Sequence, residues 1–119
     1  MPKRKSARLD DGLAMTQMTR QRVNRILAML CDTYRVRPEE LCTASRQRQV
    51  VEPRHLAMLL IRHEGNNLSY ETIGKIFGRT HSTVYLSCVQ AYNQLSIDAQ
   101  LRERIQPILT ELQIEIRHA

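Results

Sequence analysis

An all-α protein of about six helices is the fold this sequence predicts, and three observations carry it. Apolar residues recur at three- and four-residue spacing in segment after segment. No stretch alternates apolar and polar residues as a half-buried strand would. Ser, Thr or Pro stands at the start of several periodic runs, where a helix begins. At 119 residues the chain is one domain, large enough to bury a core without disulfides or metal. Hydrophobic residues make up 42% with no Trp and one Phe, so the core is expected to be aliphatic. Cys31, Cys42 and Cys88 are odd in number and show no CxxC spacing, which reads as reduced thiols of a cytoplasmic protein. No apolar run approaches the roughly 20 residues of a membrane span, and no signal peptide opens the sequence.

Residues 1–16 lack periodicity and begin Met1-Pro2-Lys3-Arg4-Lys5. They are expected to be a disordered basic arm, either a solubilising tail or a grip on phosphate or a groove, ahead of a domain over 17–119. From Thr19 to Tyr34 the period is helical, with Val23, Ile26, Leu27, Leu30 and Tyr34 on one face. Arg20, Arg22 and Arg25 sit at its start, the unfavourable end for cations, where a solvated face or an external anion would relieve them. Pro38 opens a short helical turn through Leu41. Ser45-Arg46-Gln47-Arg48-Gln49 is polar and basic without a core pattern, a surface loop whose arginines serve solubility or touch DNA. Pro53 opens the next helix, to about His63, with Leu56, Leu59, Leu60 and Ala57 inward; Gly65-Asn66-Asn67 ends it. After Leu95, Ser96 or Asp98 caps a last helix bearing Leu101, Ile105, Ile108, Leu109, Leu112 and Ile116, which Pro107 should kink or split.

Between those lies the stretch that the rest serves, Leu68 to Leu95. Ser69 can cap a helix whose apolar residues are Tyr70, Ile73, Ile76 and Phe77. Gly78 supplies a left-handed stop, and Thr80 caps a second helix burying Val84, Cys88, Ala91 and Leu95. A short helix, a glycine turn and a longer helix make a helix-turn-helix, whose second helix enters the major groove by its N-terminal residues. Those residues are Thr80, His81, Ser82 and Thr83, short hydrogen-bonding side chains rather than the charged residues common at a solvated helix start. A net charge of +6 with a pI near 9.7 favours a polyanionic partner, and nucleic acid fits.

Other chemistries find little support. No GxxxxGK[ST] occurs, so nucleotide hydrolysis is not expected. His55 and His63 are eight apart with no Cys or carboxylate at ligand spacing, so neither a metal nor another cofactor is expected. His81 and Cys88 fall at i, i+7 with the cysteine on the buried stripe, and Glu64 and Glu71 have no evident acid–base partner. The sequence therefore points to a binding protein without catalytic residues.

Two further stretches carry a resemblance. Arg46-Gln47-Arg48-Gln49-Val50-Val51-Glu52-Pro53-Arg54-His55-Leu56-Ala57-Met58 resembles the basic loop and following helix of the DNA-binding C-terminal domain of the bacterial replication initiator family, DnaA. Ser69 to Val84 is similar to that family's signature SLxEIGxxFGGRDHTTV, and the likeness runs from about Val23 to Leu112. The resemblance implies a double-stranded DNA partner, with a protein of the replication machinery as a second contact. It implies that Thr80, His81, Ser82 and Thr83 read base edges, and that Arg46, with Arg48 beside it, enters the minor groove. Arg54, Arg62, Tyr70, Glu71 and Arg79 are the expected contacts to the DNA backbone. The rival readings are a transcriptional regulator using another site and a protein-docking module. Several positions depart from the family pattern. One glycine is missing before Arg79, Thr80 stands for an Asp, Leu86 for a common His, and Val89-Gln90 for basic residues.

Overall fold

The computed structural model describes residues 16–64 and 68–116, and among them every regular element is helical. In order these are α1 (Gln17–Tyr34), a 3-10 turn (Pro38–Cys42), α2 (Arg48–Glu64), α3 (Tyr70–Phe77), α4 (His81–Ile97) and α5 (Ala99–Leu112). The basic arm up to Met15 and the Gly65-Asn66-Asn67 link lie outside the described residues. Thr16 belongs to the folded part: it is the N-cap of α1, its hydroxyl accepting from the Thr19 N–H at 3.0 Å, so α1 starts two residues before the expected Thr19.

Helix α2 is the centre of the molecule, packed against α1, α3, α4 and the 3-10 turn. A helix covered on so many sides must be apolar nearly all round. Its run Leu56–Ile61 is accordingly buried throughout, adding Met58 and Ile61 to the inward face expected from periodicity. It also begins earlier than expected. Arg48 and Gln49 are helical, the Val50 and Val51 N–H groups both reach the Gln47 carbonyl at 2.9 and 2.8 Å, and Pro53 lies inside the helix rather than at its start. Pro53 lacks the donor for the Gln49 carbonyl, but Gln49 is exposed and water can take that place.

Val23, Ile26 and Leu30 of α1 and Leu101, Ile105, Ile108 and Leu112 of α5 close the same core. Asp98 ends α4 and caps α5, accepting from the Leu101 N–H at 3.1 Å. Pro107 does not split α5, which runs unbroken to Leu112 and stops at Gln113 in a left-handed conformation (φ 59°). Ile116, expected on this helix, lies beyond it yet still packs partly against the core.

Candidate nucleic-acid interface

Helix α3 starts where the Ser69 hydroxyl accepts from the Thr72 N–H at 3.0 Å, and it buries Ile73, Gly74 and Phe77. Gly78 stops it at φ 71°, a left-handed conformation that costs a side-chain-bearing residue about 1 kcal/mol or more. The chain then doubles back so tightly that the Arg79 N–H bonds the Gly74 carbonyl at 2.8 Å. A Cβ on Gly74 would stand 2.3 Å from the Arg79 carbonyl oxygen, so glycine is required there by space rather than by backbone angle. Only Gly78, Arg79 and Thr80 separate the two helices, in keeping with the glycine missing from the sequence pattern. Thr80 caps α4, accepting from the Thr83 N–H at 3.3 Å and donating to the Thr83 hydroxyl at 3.1 Å. Thr83 thus keeps its own hydroxyl proton for another acceptor.

Val84, Ser87, Cys88, Ala91 and Leu95 face inward from α4 against α2 and α3. Thr80, His81, Ser82 and Thr83 all remain exposed at its N-terminus, where unpaired N–H groups favour an anion.

The arginines divide into two kinds. Arg46 is exposed and makes no hydrogen bond or ion pair among the described residues. Arg48 is also exposed, its Nε 3.3 Å from a Glu52 carboxylate oxygen one turn along α2. Arg54, by contrast, is only 6% exposed. Its Nε donates to the Leu41 carbonyl at 2.9 Å, and one terminal nitrogen donates to the Thr43 and Ser45 carbonyls at 3.0 and 3.1 Å. Burial, then the nearby Arg79 charge, lowers its pKa. Through those bonds Arg54 straps the arginine loop to α2. Arg79 does related work, donating to the Phe77 carbonyl at 2.8 Å and to the same Thr43 carbonyl at 2.6 Å. The turn between α3 and α4 is thereby tied to the base of the loop that carries Arg46. Periodicity marks Arg54 as off the apolar stripe but cannot show that its guanidinium folds back onto carbonyls 9 to 13 residues earlier.

Arg62 is half-buried, its guanidinium 4.2 Å from the Tyr70 ring centre and bonded to the Leu68 carbonyl. Tyr70 in turn meets the Tyr85 ring edge-on at 5.5 Å. This aromatic chain joins the C-terminal part of α2 to α3 and α4. Glu71 is exposed in the first turn of α3, where its charge suits the helix dipole.

Three features carried less signal in the sequence. Gln90, Asn93 and Gln94 of α4 line one open cleft with Arg46, Arg48 and His55, so the arginine loop borders the outer side of α4. Glu52, its side chain 12% exposed, accepts from the Tyr34 hydroxyl and from Arg104 at 2.9 Å, joining α1, α2 and α5. Tyr85, Leu86 and Val89 stand exposed on α4; in the sequence Leu86 and Val89 show only as departures from the family pattern. Among the described residues no group of three His, Cys, Asp or Glu could hold a metal ion. No described helix is long and apolar enough to cross a membrane.

Against known proteins, the family described as the bacterial DnaA protein helix-turn-helix matches residues 23–90, from α1 through the middle of α4. The chromosomal replication initiator protein DnaA of Chloroflexus aggregans is 29% identical over 92% of this chain and 23% of that protein. That of Roseiflexus castenholzii is 31% identical over 90% and 22%. Chromosomal replication initiator protein DnaA 1 of Chlamydia muridarum is 37% identical over 82% and 21%. The chain spans about a quarter of the length of these curated relatives.

Proposed function

The chain belongs to the bacterial DnaA helix-turn-helix family, and from that premise we propose that it binds double-stranded DNA sequence-specifically, at a site related to the initiator's recognition box, in replication initiation or its control. The observation that carries this reading is the exposed polar start of α4, Thr80 to Thr83, with the arginine loop pinned to the turn before it. In this mode His81, Ser82 and Thr83 read base edges in the major groove, while Arg46, with Arg48 beside it, reaches the minor groove. Arg62 and the start of α3 at Tyr70 and Glu71 lie along the phosphate backbone. The Glu71 carboxylate would repel a phosphate, so its contribution is the backbone N–H of a helix start. Arg54 and Arg79 hold the loop and the turn in register instead of meeting DNA. The role is binding rather than catalysis, over a domain of 17–119 with Thr16 as its cap and the preceding residues as a basic arm.

Selection of duplexes from a random pool, followed by titration of the winner, tests this. A consensus related to the initiator box, bound in preference to scrambled duplex, supports the whole reading. A consensus unrelated to that box keeps the DNA-binding scaffold and moves the role to a separate regulator. An absence of duplex affinity at low salt, with binding to a protein of the replication machinery, would sink it in favour of a docking module.

A further inference from the structure

Leu86 and Val89 are unusual occupants of their places. Leu86 is 59% exposed and Val89 36%, although both sit on a helix whose other side is fully packed. At about 100° per residue, Ser82, Leu86 and Val89 fall within roughly 60° of one another, opposite the buried Val84, Cys88, Ala91 and Leu95 stripe. They therefore extend the face that begins at the exposed polar start of α4. The recognition helix of one helix-turn-helix variant, the homeodomain, places its base contacts at i, i+3, i+4 and i+7. Ser82, Tyr85, Leu86 and Val89 have that spacing, and Tyr85 is held aside by its edge contact with Tyr70.

From this placement we infer that Leu86 and Val89 read the 5-methyl groups of thymines in the major groove, a second specificity element beyond the first turn of α4. The inference rests on the DNA-binding reading above. In the major groove the thymine methyl is the one apolar group that base pairs display, so an apolar side chain there selects thymine. Charge favours this occupant over a second copy of the chain. The sequence carries a net charge of +6, which repels a copy and attracts DNA, and Arg46 and Arg48 border α4 at Gln90, Asn93 and Gln94. Size agrees. Even with Tyr85 counted beside Leu86 and Val89, these partly covered side chains offer on the order of a few hundred Å², against the roughly 800 Å² per partner of a standard protein interface.

The probe is a duplex recovered from a random pool with this protein, synthesised with each thymine in turn replaced by deoxyuridine. That change deletes the methyl group and leaves the hydrogen bonds of the base pair in place. At one or two thymines within the site, the wild-type protein should bind the uracil duplex about four-fold more weakly, the effect of unburying one methyl-sized group. Leu86→Ala or Val89→Ala should bind the thymine and uracil duplexes equally at those positions. Leu86→Gln serves as a second variant, and melting curves verify that each is folded, as exposed positions allow. Indifference to uracil at every position, or a penalty that persists undiminished in both variants, overturns the inference while leaving DNA binding intact. A concentration-dependent dimer that disappears in Leu86→Ala, with uracil indifference, also overturns it and gives the face to a second copy. Failure to select any duplex is a different result, which removes the DNA-binding reading itself and this inference with it.

Discussion

Arg46 and Arg54 are chemically identical, and their surroundings give them opposite work. Arg54→Ala would leave the Leu41 and Ser45 carbonyls short of a donor, and the Thr43 carbonyl with Arg79 alone, and should cost about 2–4 kcal/mol of stability by urea denaturation. Arg54→Lys should recover little, because a single ammonium cannot reproduce the planar fork that spans those carbonyls. Arg46→Ala, with no protein partner lost, should change stability by no more than about 0.5 kcal/mol. Its loss of affinity should fall chiefly on sites with A·T-rich flanks, whereas Arg62→Ala should weaken all duplexes alike. Equal losses on every sequence from both variants would remove Arg46 from the minor groove. At the start of α4, His81→Ala or Thr83→Ala should remove about 1–3 kcal/mol of discrimination at one or two base pairs. Both side chains are exposed, so melting temperature should hold. Unchanged preference at every base, measured by competition with single-base variants, would place the recognition element elsewhere.

At the scale of the element, the helix-turn-helix depends on two glycines for different reasons. Gly78→Ala meets no neighbour and has only a left-handed backbone to accommodate, so it should cost about 1 kcal/mol. Gly74→Ala drives a methyl against the Arg79 carbonyl and must pry the turn from α3, so it should cost more, roughly 2 kcal/mol or above. Denaturation midpoints in the opposite order would mean that the turn yields easily. The α4–α5 corner adds a pH dependence. The Leu101 N–H, first among the donors around Asp98, lowers the Asp98 pKa below its ordinary 3.8. A depressed carboxyl contributes stability above its unfolded pKa and loses it as pH falls through the folded value. Stability should therefore decline below about pH 4, and Asp98→Asn, which still caps the helix, should flatten that slope. An unchanged acid limb in the Asn variant would assign the decline to other carboxylates.

For the whole molecule, the balance of charge sets how binding responds to salt. A net charge of +6 and the outward arginines of the loop should make log affinity fall linearly with log salt, by about 0.9 per phosphate neutralised. Arg46→Ala and Arg62→Ala should each shallow that slope by about one phosphate's share, and Arg54→Ala should not. A slope that stays flat across salt concentrations would mean that the partner is not a polyanion.

The sequence alone determined the helical class, the order of elements and the caps at Ser69 and Thr80, because each follows from residues within one or two turns of one another; it left the last cap between Ser96 and Asp98, and the fold settles it as Asp98. The glycine stop at Gly78 and the inward stripe of α4 were legible for the same reason. Tertiary structure decided the early start of α2, since the Gln47 carbonyl gathers two N–H groups and Pro53 is tolerated within the first turns. It decided that α5 stays whole through Pro107, packed against α1 and α4. It also decided which arginines face outward. A guanidinium looks the same in a sequence whether it meets solvent or a carbonyl, and for Arg54 and Arg79 the deciding carbonyl at Thr43 lies 11 and 36 residues away. Distances of that kind are fixed only when the chain folds back on itself.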